Sequence, residues 1–117
     1  MKLGLIFLFI IATFFQAFAQ REETNYEDAL LLDVRSTMEY QQEAVPGSIN
    51  IPLGELKNRL NELKVKKADK IVVYCLSGSR SSAAKQYLEA NGYTHVVNAY
   101  TCQNVCNSLG VKAVKLN

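Results

Sequence analysis

Ile71-Val72-Val73-Tyr74-Cys75-Leu76-Ser77-Gly78-Ser79-Arg80-Ser81 is the stretch on which both fold and chemistry turn. Its first five residues are apolar and mostly β-branched, opened by the polar pair Asp69-Lys70, and they read as a short buried strand. The next five are short and polar apart from Leu76, and they read as a loop. Ser81 or Ser82 can then cap a helix that runs through Ala83, Ala84, Tyr87 and Leu88 and stops near Asn91-Gly92. A strand, a tight loop and a helix in this order aim successive backbone N–H groups into one bowl, backed by the partial positive charge of the helix N-terminus. Cys75 lies at the bottom of that bowl, where its thiolate is stabilised, so it is a candidate nucleophile with a pKa below the ~8.5 of a free thiol. Gly78 allows a backbone conformation that other residues resist. Ser77 and Ser79 can offer hydroxyls to a bound oxyanion, and Arg80 a fixed positive charge that grips an anion in a forked manner. The plainer alternative is a buried structural cysteine at a strand end; it leaves Gly78, Arg80 and Ser81 unexplained.

Working outward, Ala29-Leu30-Leu31-Leu32-Asp33-Val34 is an apolar run of the kind buried in a parallel sheet. Ser36-Thr37-Met38-Glu39 has the spacing of a capping box, which starts a short helix at Ser36. Val45-Pro46-Gly47-Ser48 turns the chain, and Ile49-Asn50-Ile51 forms a brief strand stopped by Pro52. Leu53, Leu56, Leu60 and Leu63 share one face of an amphipathic helix. His95-Val96-Val97-Asn98-Ala99 is a further strand, Cys102 to Leu109 a final helix closed by Gly110, and Val111 to Leu116 a last strand or a tail. His95, the single histidine, reads as a packing residue of its strand. The alternation of strands and helices indicates α/β architecture with a mostly parallel central sheet flanked by helices. Reactive groups in such sheets lie beyond the carboxyl ends of strands. Cys75 and the Asp33-Val34-Arg35 triplet fall at such ends.

The chain has 117 residues, enough for one domain. Met1-Lys2, the apolar run from Leu3 to Phe15, and Ala17-Phe18-Ala19 read as a signal peptide over residues 1–19, leaving residues 20–117 as the mature domain. The apolar run is shorter than the roughly 20 residues that span a bilayer, so no stable membrane association is expected after cleavage. Cleavage removes Lys2 and lowers the formal charge of +2 by one. Such a balance gives no electrostatic case for nucleic acid or an anionic membrane surface. A periplasmic or secreted monomer is expected. Disulfides persist in that compartment, yet Cys75, Cys102 and Cys106 are odd in number, so at least one thiol stays unpaired within the chain.

Four segments together resemble the rhodanese-like domain family. Cys75 to Ser81 looks like its active-site loop, Cys-x-x-Gly-x-Arg followed by Ser. Leu31 to Arg35 resembles its first Asp-Val-Arg motif, Val45 to Pro52 its Ile-Pro-Gly-Ala-Ile-Asn-Ile-Pro segment, and Asn91 to Val96 the approach to its last core strand. The resemblance runs in order from about Leu30 to Ala99. It implies a three-layer fold and a sulfurtransferase reaction, in which Cys75 takes sulfane sulfur from a donor such as thiosulfate, carries it as a persulfide, and passes it to cyanide or a thiol. It implies that Leu76, Ser77, Gly78, Ser79 and Ser81 form the substrate-binding loop, that Arg80 orients the anionic donor, and that Asp33 and Arg35 support the loop. It implies no metal or organic cofactor. Related phosphatases use a loop one residue longer; four residues separate Cys75 from Arg80 here, which suits sulfur better than phosphate. The chain departs from the family at Glu43-Ala44, where Gly-His is common, and at Tyr100 to Cys106, where a Gly-Gly pair and a later Trp are expected.

The loop after Ala99 should leave the same sheet edge as the Cys75 loop. Cys102 is therefore a candidate resolving thiol, able to release sulfide from the persulfide by forming a disulfide with Cys75. Burial in a helix, or a bridge between Cys102 and Cys106, are the alternatives for that pair. Two other functions stand beside the sulfurtransferase: a carrier that holds persulfide or an anion without turnover, and a thiol–disulfide redox protein using Cys75 and Cys102.

Overall fold

Two strand–helix–strand crossovers, set back to back, place the Cys75 loop. The computed structural model describes residues 25–116; the leader expected over residues 1–19 lies outside them. The elements are β1 (Leu30–Asp33), α1 (Thr37–Gln42), β2 (Ile49–Asn50), β3 (Ile71–Cys75), α2 (Ser79–Ala90), β4 (Val96–Thr101) and α3 (Cys102–Leu109). All four strands pair in parallel, in the order β2-β1-β3-β4. From β1 the chain steps outward to β2, and from β3 it steps outward the other way to β4. The strand order thus reverses between β1 and β3, where α/β sheets open a crevice at their carboxyl ends. Asp33 and Cys75 end those two strands.

Every residue of β3 is buried, as its β-branched sequence requires of a central parallel strand. Burying each of Ile71, Val72 and Val73 stabilises the fold by about 1.5–3 kcal/mol. Alternate residues face two cores. Ile71, Val73 and Cys75 pack with Leu56, Ala84 and Leu88 on the α2 side. Val72 and Tyr74 pack with Val45, Val105 and Cys106 on the α3 side. The sheet is therefore the middle of three layers.

Local signals explain the helices. Ser36 caps α1 reciprocally: its hydroxyl accepts the Glu39 N–H at 3.2 Å, and its own N–H donates to Glu39 Oε1 at 3.0 Å. α2 ends in a Schellman pair, with Gly92 N–H donating to Glu89 and Tyr93 N–H to Leu88. α3 spans the expected residues, with Thr101 Oγ1 accepting the Asn104 N–H at 3.1 Å and Gly110 at φ 67° closing it.

Two expectations are corrected. Residues 53–63 are not one α-helix but two 3₁₀ segments, Leu53–Asn58 and Leu60–Glu62. The leucine spacing of three, four and three is two i/i+3 pairs, matching three residues per 3₁₀ turn, split by Arg59 at φ −127°. Pro52 supplies no side-chain cap that would favour an α-helix. α2 begins at Ser79, earlier than a cap at Ser81 or Ser82 would set it. Of the strand or tail expected over Val111 to Leu116, the structure shows a tail, with a single antiparallel bridge from Val114 to Ala44.

Candidate active site

Cys75 closes β3 with 1 % of its surface exposed. Its sulfur accepts the Gly78 N–H at 3.0 Å and the Ser81 N–H at 3.4 Å, and it lies 3.3 Å from Ser81 Oγ. This arrangement explains the early start of α2. Gly78 precedes the helix with no side chain to cap it. The sulfur takes the place of a capping oxygen and receives the N–H of the third helical residue, one of the donors that a helix N-terminus leaves unpaired. Gly78 makes the turn at φ 108°, in the left-handed half of backbone space that glycine enters without strain. Burial alone would raise the Cys75 thiol. The Ser81 hydroxyl and the N–H groups of Ser81, Gly78 and Ser77 outweigh that and bring it below its ordinary range.

Each of the two arginines beside the loop is held by an acid. Arg80, the second residue of α2, is held by Glu39 through Nη1 at 2.7 Å and Nη2 at 3.0 Å. Those bonds draw the Glu39 carboxyl down to about 2, burial opposing them and Ser36 assisting. Arg35 is buried against Asp33, with Nε 3.0 Å from both carboxylate oxygens and Nη2 2.6 Å from Oδ2. Nη2 also donates to the Glu43 carbonyl. Burial opposes the Arg35 charge, and the Asp33 carboxylate more than restores it. Asn50 Nδ2 donates to the carbonyls of both Asp33 and Arg35, tying the triplet to β2.

A cavity of about 270 Å³ opens at the carboxyl ends of the strands, lined by Arg35, Glu43, Cys75, Leu76, Thr101, Cys102 and Gln103. Arg35 is on its wall; Arg80 is not. Leu76 is 65 % exposed at its rim, and the Ser77 and Ser79 side chains are exposed. Cys102 shares this cavity with Cys75, as the sheet edge implied, because Thr101 pairs directly with Cys75 across β3 and β4. All three thiols are free and buried. Burial, with the neighbouring Cys106, pushes Cys102 up to about 12, Arg35 only partly opposing; burial raises Cys106 as well. Sequence reasoning missed Glu39 as the partner of Arg80, along with the wall residues Glu43, Thr101 and Gln103. Among the described residues no cluster of three His, Cys, Asp or Glu side chains could hold a metal ion, and no helix is long and apolar enough to cross a membrane.

A buried cysteine at the switch point of a parallel sheet, its sulfur met by amide and hydroxyl donors, sets a candidate nucleophile at the carboxyl edge of an α/β fold. The chain belongs to the rhodanese-like domain family, whose sequence model matches residues 16–101. It is 50 % identical over 68 residues to the thiosulfate sulfurtransferase PspE of Escherichia coli, covering 58 % of this chain and 65 % of that protein. It is 39 % identical over 83 residues to the putative sulfur carrier protein YrkF of Bacillus subtilis, covering 71 % of this chain and 43 % of that one. The match thus spans less than two thirds of either relative. Among solved structures, a rhodanese with anions from E. coli superposes with a TM-score of 0.66 at 41 % identity, covering 74 % of this chain and 98 % of the other.

Proposed function

We propose that this chain is a sulfurtransferase that carries sulfane sulfur on Cys75. One observation carries the reading: the Cys75 sulfur is met by Gly78 N–H at 3.0 Å, Ser81 N–H at 3.4 Å and Ser81 Oγ at 3.3 Å. The thiolate attacks the outer sulfur of thiosulfate. A Cys75 S–S bond forms, the thiosulfate S–S bond breaks, and sulfite leaves with the bonding electron pair. The terminal sulfur of the persulfide now carries the negative charge and faces the cavity. Cyanide or a thiolate attacks that sulfur, the Cys75 S–S bond breaks, and the thiolate returns to its donors with thiocyanate or an external persulfide released. Arg80, held by Glu39, fixes the first turn of α2 and so the donors; Arg35 faces the incoming donor from the cavity wall.

Cys102 lines the same cavity as Cys75, but burial raises its thiol and so disfavours the nucleophilic thiolate form. Turnover is therefore assigned to an external acceptor. The YrkF likeness favours a carrier as the second reading. Residues 1–19 support export of the mature chain to the periplasm or beyond.

Intact mass after thiosulfate treatment tests the proposal. The expected result is a gain of one sulfur atom, lost on adding cyanide with release of thiocyanate and absent in Cys75→Ser. A gain that cyanide does not discharge means a carrier. No gain at all refutes the assignment of Cys75.

A further inference from the structure

Beside the Cys75 loop, β4 leaves its regular ladder. Val73 pairs with Asn98 but Tyr74 pairs with Tyr100, so β4 holds one extra residue at Ala99. Such bulges re-aim side chains next to functional sites. Tyr100 follows the bulge at φ 70°, in the left-handed region that disfavours a tyrosine and suits a glycine. The Tyr100 side chain does not repay that strain by filling a core, because the residue is 54 % exposed.

The ring instead covers Gly78. A Cβ placed on Gly78 would lie 2.5 Å from Tyr100 Cδ1 and 3.4 Å from Cγ and Cε1, so the ring occupies the space where a Gly78 side chain would stand. Asn98 binds the same glycine from a second direction. Its Nδ2 donates to the Gly78 carbonyl at 3.4 Å, while its Oδ1 accepts the Tyr100 N–H at 2.9 Å. The Gly78 N–H lies 3.0 Å from the Cys75 sulfur. A glycine is the residue least able to hold such an aim by its own backbone preferences. The restraint must come from outside, and the bulge supplies it on two sides.

We propose that Tyr100 is a positioning residue of the sulfur site: its ring, fastened through Asn98, pins Gly78 in the conformation that aims the Gly78 N–H at the Cys75 sulfur. It acts through Gly78 and touches none of the reacting atoms. Strain held at an exposed residue against a reactive loop fits a functional contact better than a folding one. The inference rests on the reading of Cys75 as a thiolate nucleophile.

Three variants of the mature protein separate the ring from the backbone. Tyr100→Phe keeps both ring and strain, Tyr100→Ala keeps the strain and loses the ring, and Tyr100→Gly loses both. The measurements are thermal melting, the pH profile of Cys75 alkylation by iodoacetamide, and thiosulfate:cyanide turnover. Phe should match the wild type in all three. Gly should melt at or above the wild type, and roughly 4–8 °C above Ala once the strain is relieved. In both Gly and Ala the alkylation midpoint should move up by about half to one pH unit, with turnover several-fold lower. A stable Gly variant with the wild-type midpoint and turnover overturns the proposal. So does a Gly variant that melts as low as Ala, since the tyrosine would then be structural. A wild type with an ordinary midpoint and no sulfur transfer sinks the reading of Cys75 itself, and leaves nothing for Tyr100 to position.

Discussion

Replacing Ser81 with alanine tests how the site ionises its cysteine. Ser81 is fully buried, and its hydroxyl lies 3.3 Å from the Cys75 sulfur and 3.1 Å from the Gly78 carbonyl. It has one proton to give. When Cys75 is a neutral thiol, the S–H can donate to Ser81 Oγ while the hydroxyl donates to Gly78. When Cys75 is a thiolate, the hydroxyl turns to the sulfur, and the Gly78 carbonyl keeps the Ser82 N–H at 2.9 Å and Asn98 Nδ2 at 3.4 Å. The hydroxyl thus favours the ionised form by the difference between a bond to a charged group, about 1.5–3 kcal/mol, and an ordinary one, about 0.5–1.5 kcal/mol. That difference of roughly 1–1.5 kcal/mol corresponds to about one pKa unit. Ser81→Ala should therefore raise the midpoint of Cys75 alkylation by about one pH unit and slow alkylation about tenfold below both midpoints. The assay is the rate of iodoacetamide labelling against pH, read by intact mass with the labelled site mapped. Burial raises the Cys102 and Cys106 thiols, and mapping the labelled site separates their label from that of Cys75. A midpoint that does not move in a folded Ser81→Ala protein would refute the claim that the hydroxyl stabilises the thiolate.

Other perturbations follow from the same geometry. Asp33→Asn leaves the buried Arg35 without a counter-charge and should cost about 3–5 kcal/mol in denaturant unfolding; a loss under 1 kcal/mol would mean that Arg35 finds water or another acid. Glu39 is held at about 2 by Arg80, below its ordinary 4.5. Its stabilisation is present above the unfolded value and is lost as pH falls from about 4.5 toward 2, because the unfolded state takes up the proton first. Melting temperatures over that window should fall less steeply in Glu39→Gln than in the wild type; parallel curves would contradict the pairing. Cys102→Ser should keep sulfide release from the thiosulfate-loaded protein, measured without added acceptor, within about twofold of the wild type; a loss above about tenfold would restore the resolving role.

Much of the architecture can be read from local pattern. Ile71 to Cys75 is apolar and mostly β-branched along a strand that the fold buries completely, so pattern and environment agree. The Ser36–Glu39 capping box and the Gly110 stop are short-range devices whose partners lie within one turn, and both occur where the sequence places them. Residues 53–63 were harder, because leucines at three, four and three suit one α-helix or two 3₁₀ turns equally. The choice falls to the missing cap after Pro52 and the break at Arg59, whose guanidinium reaches Glu55 at 3.1 Å and Glu62 at 2.6 Å.

The site is legible only as far as its chemistry is local. Cys75, Gly78 and Ser81 lie within one turn, and their spacing gives away the cradle. The partner of Arg80 does not show, because Glu39 is 41 residues away and already accounted for as a capping residue. A carboxylate has room for several donors, and Glu39 Oε1 accepts from both Ser36 N–H and Arg80 Nη1. The consequence reaches beyond one missed contact. Each arginine near Cys75 is matched to an acid of its own, Arg35 to Asp33 and Arg80 to Glu39. After burial, the leading influences on the Cys75 proton are three backbone amides and one hydroxyl, all neutral donors. The sequence already points to backbone amides and the helix N-terminus as the groups that stabilise the thiolate. The structure adds the Ser81 hydroxyl to those dipoles, and ties Arg80, whose charge also favours the thiolate, to Glu39.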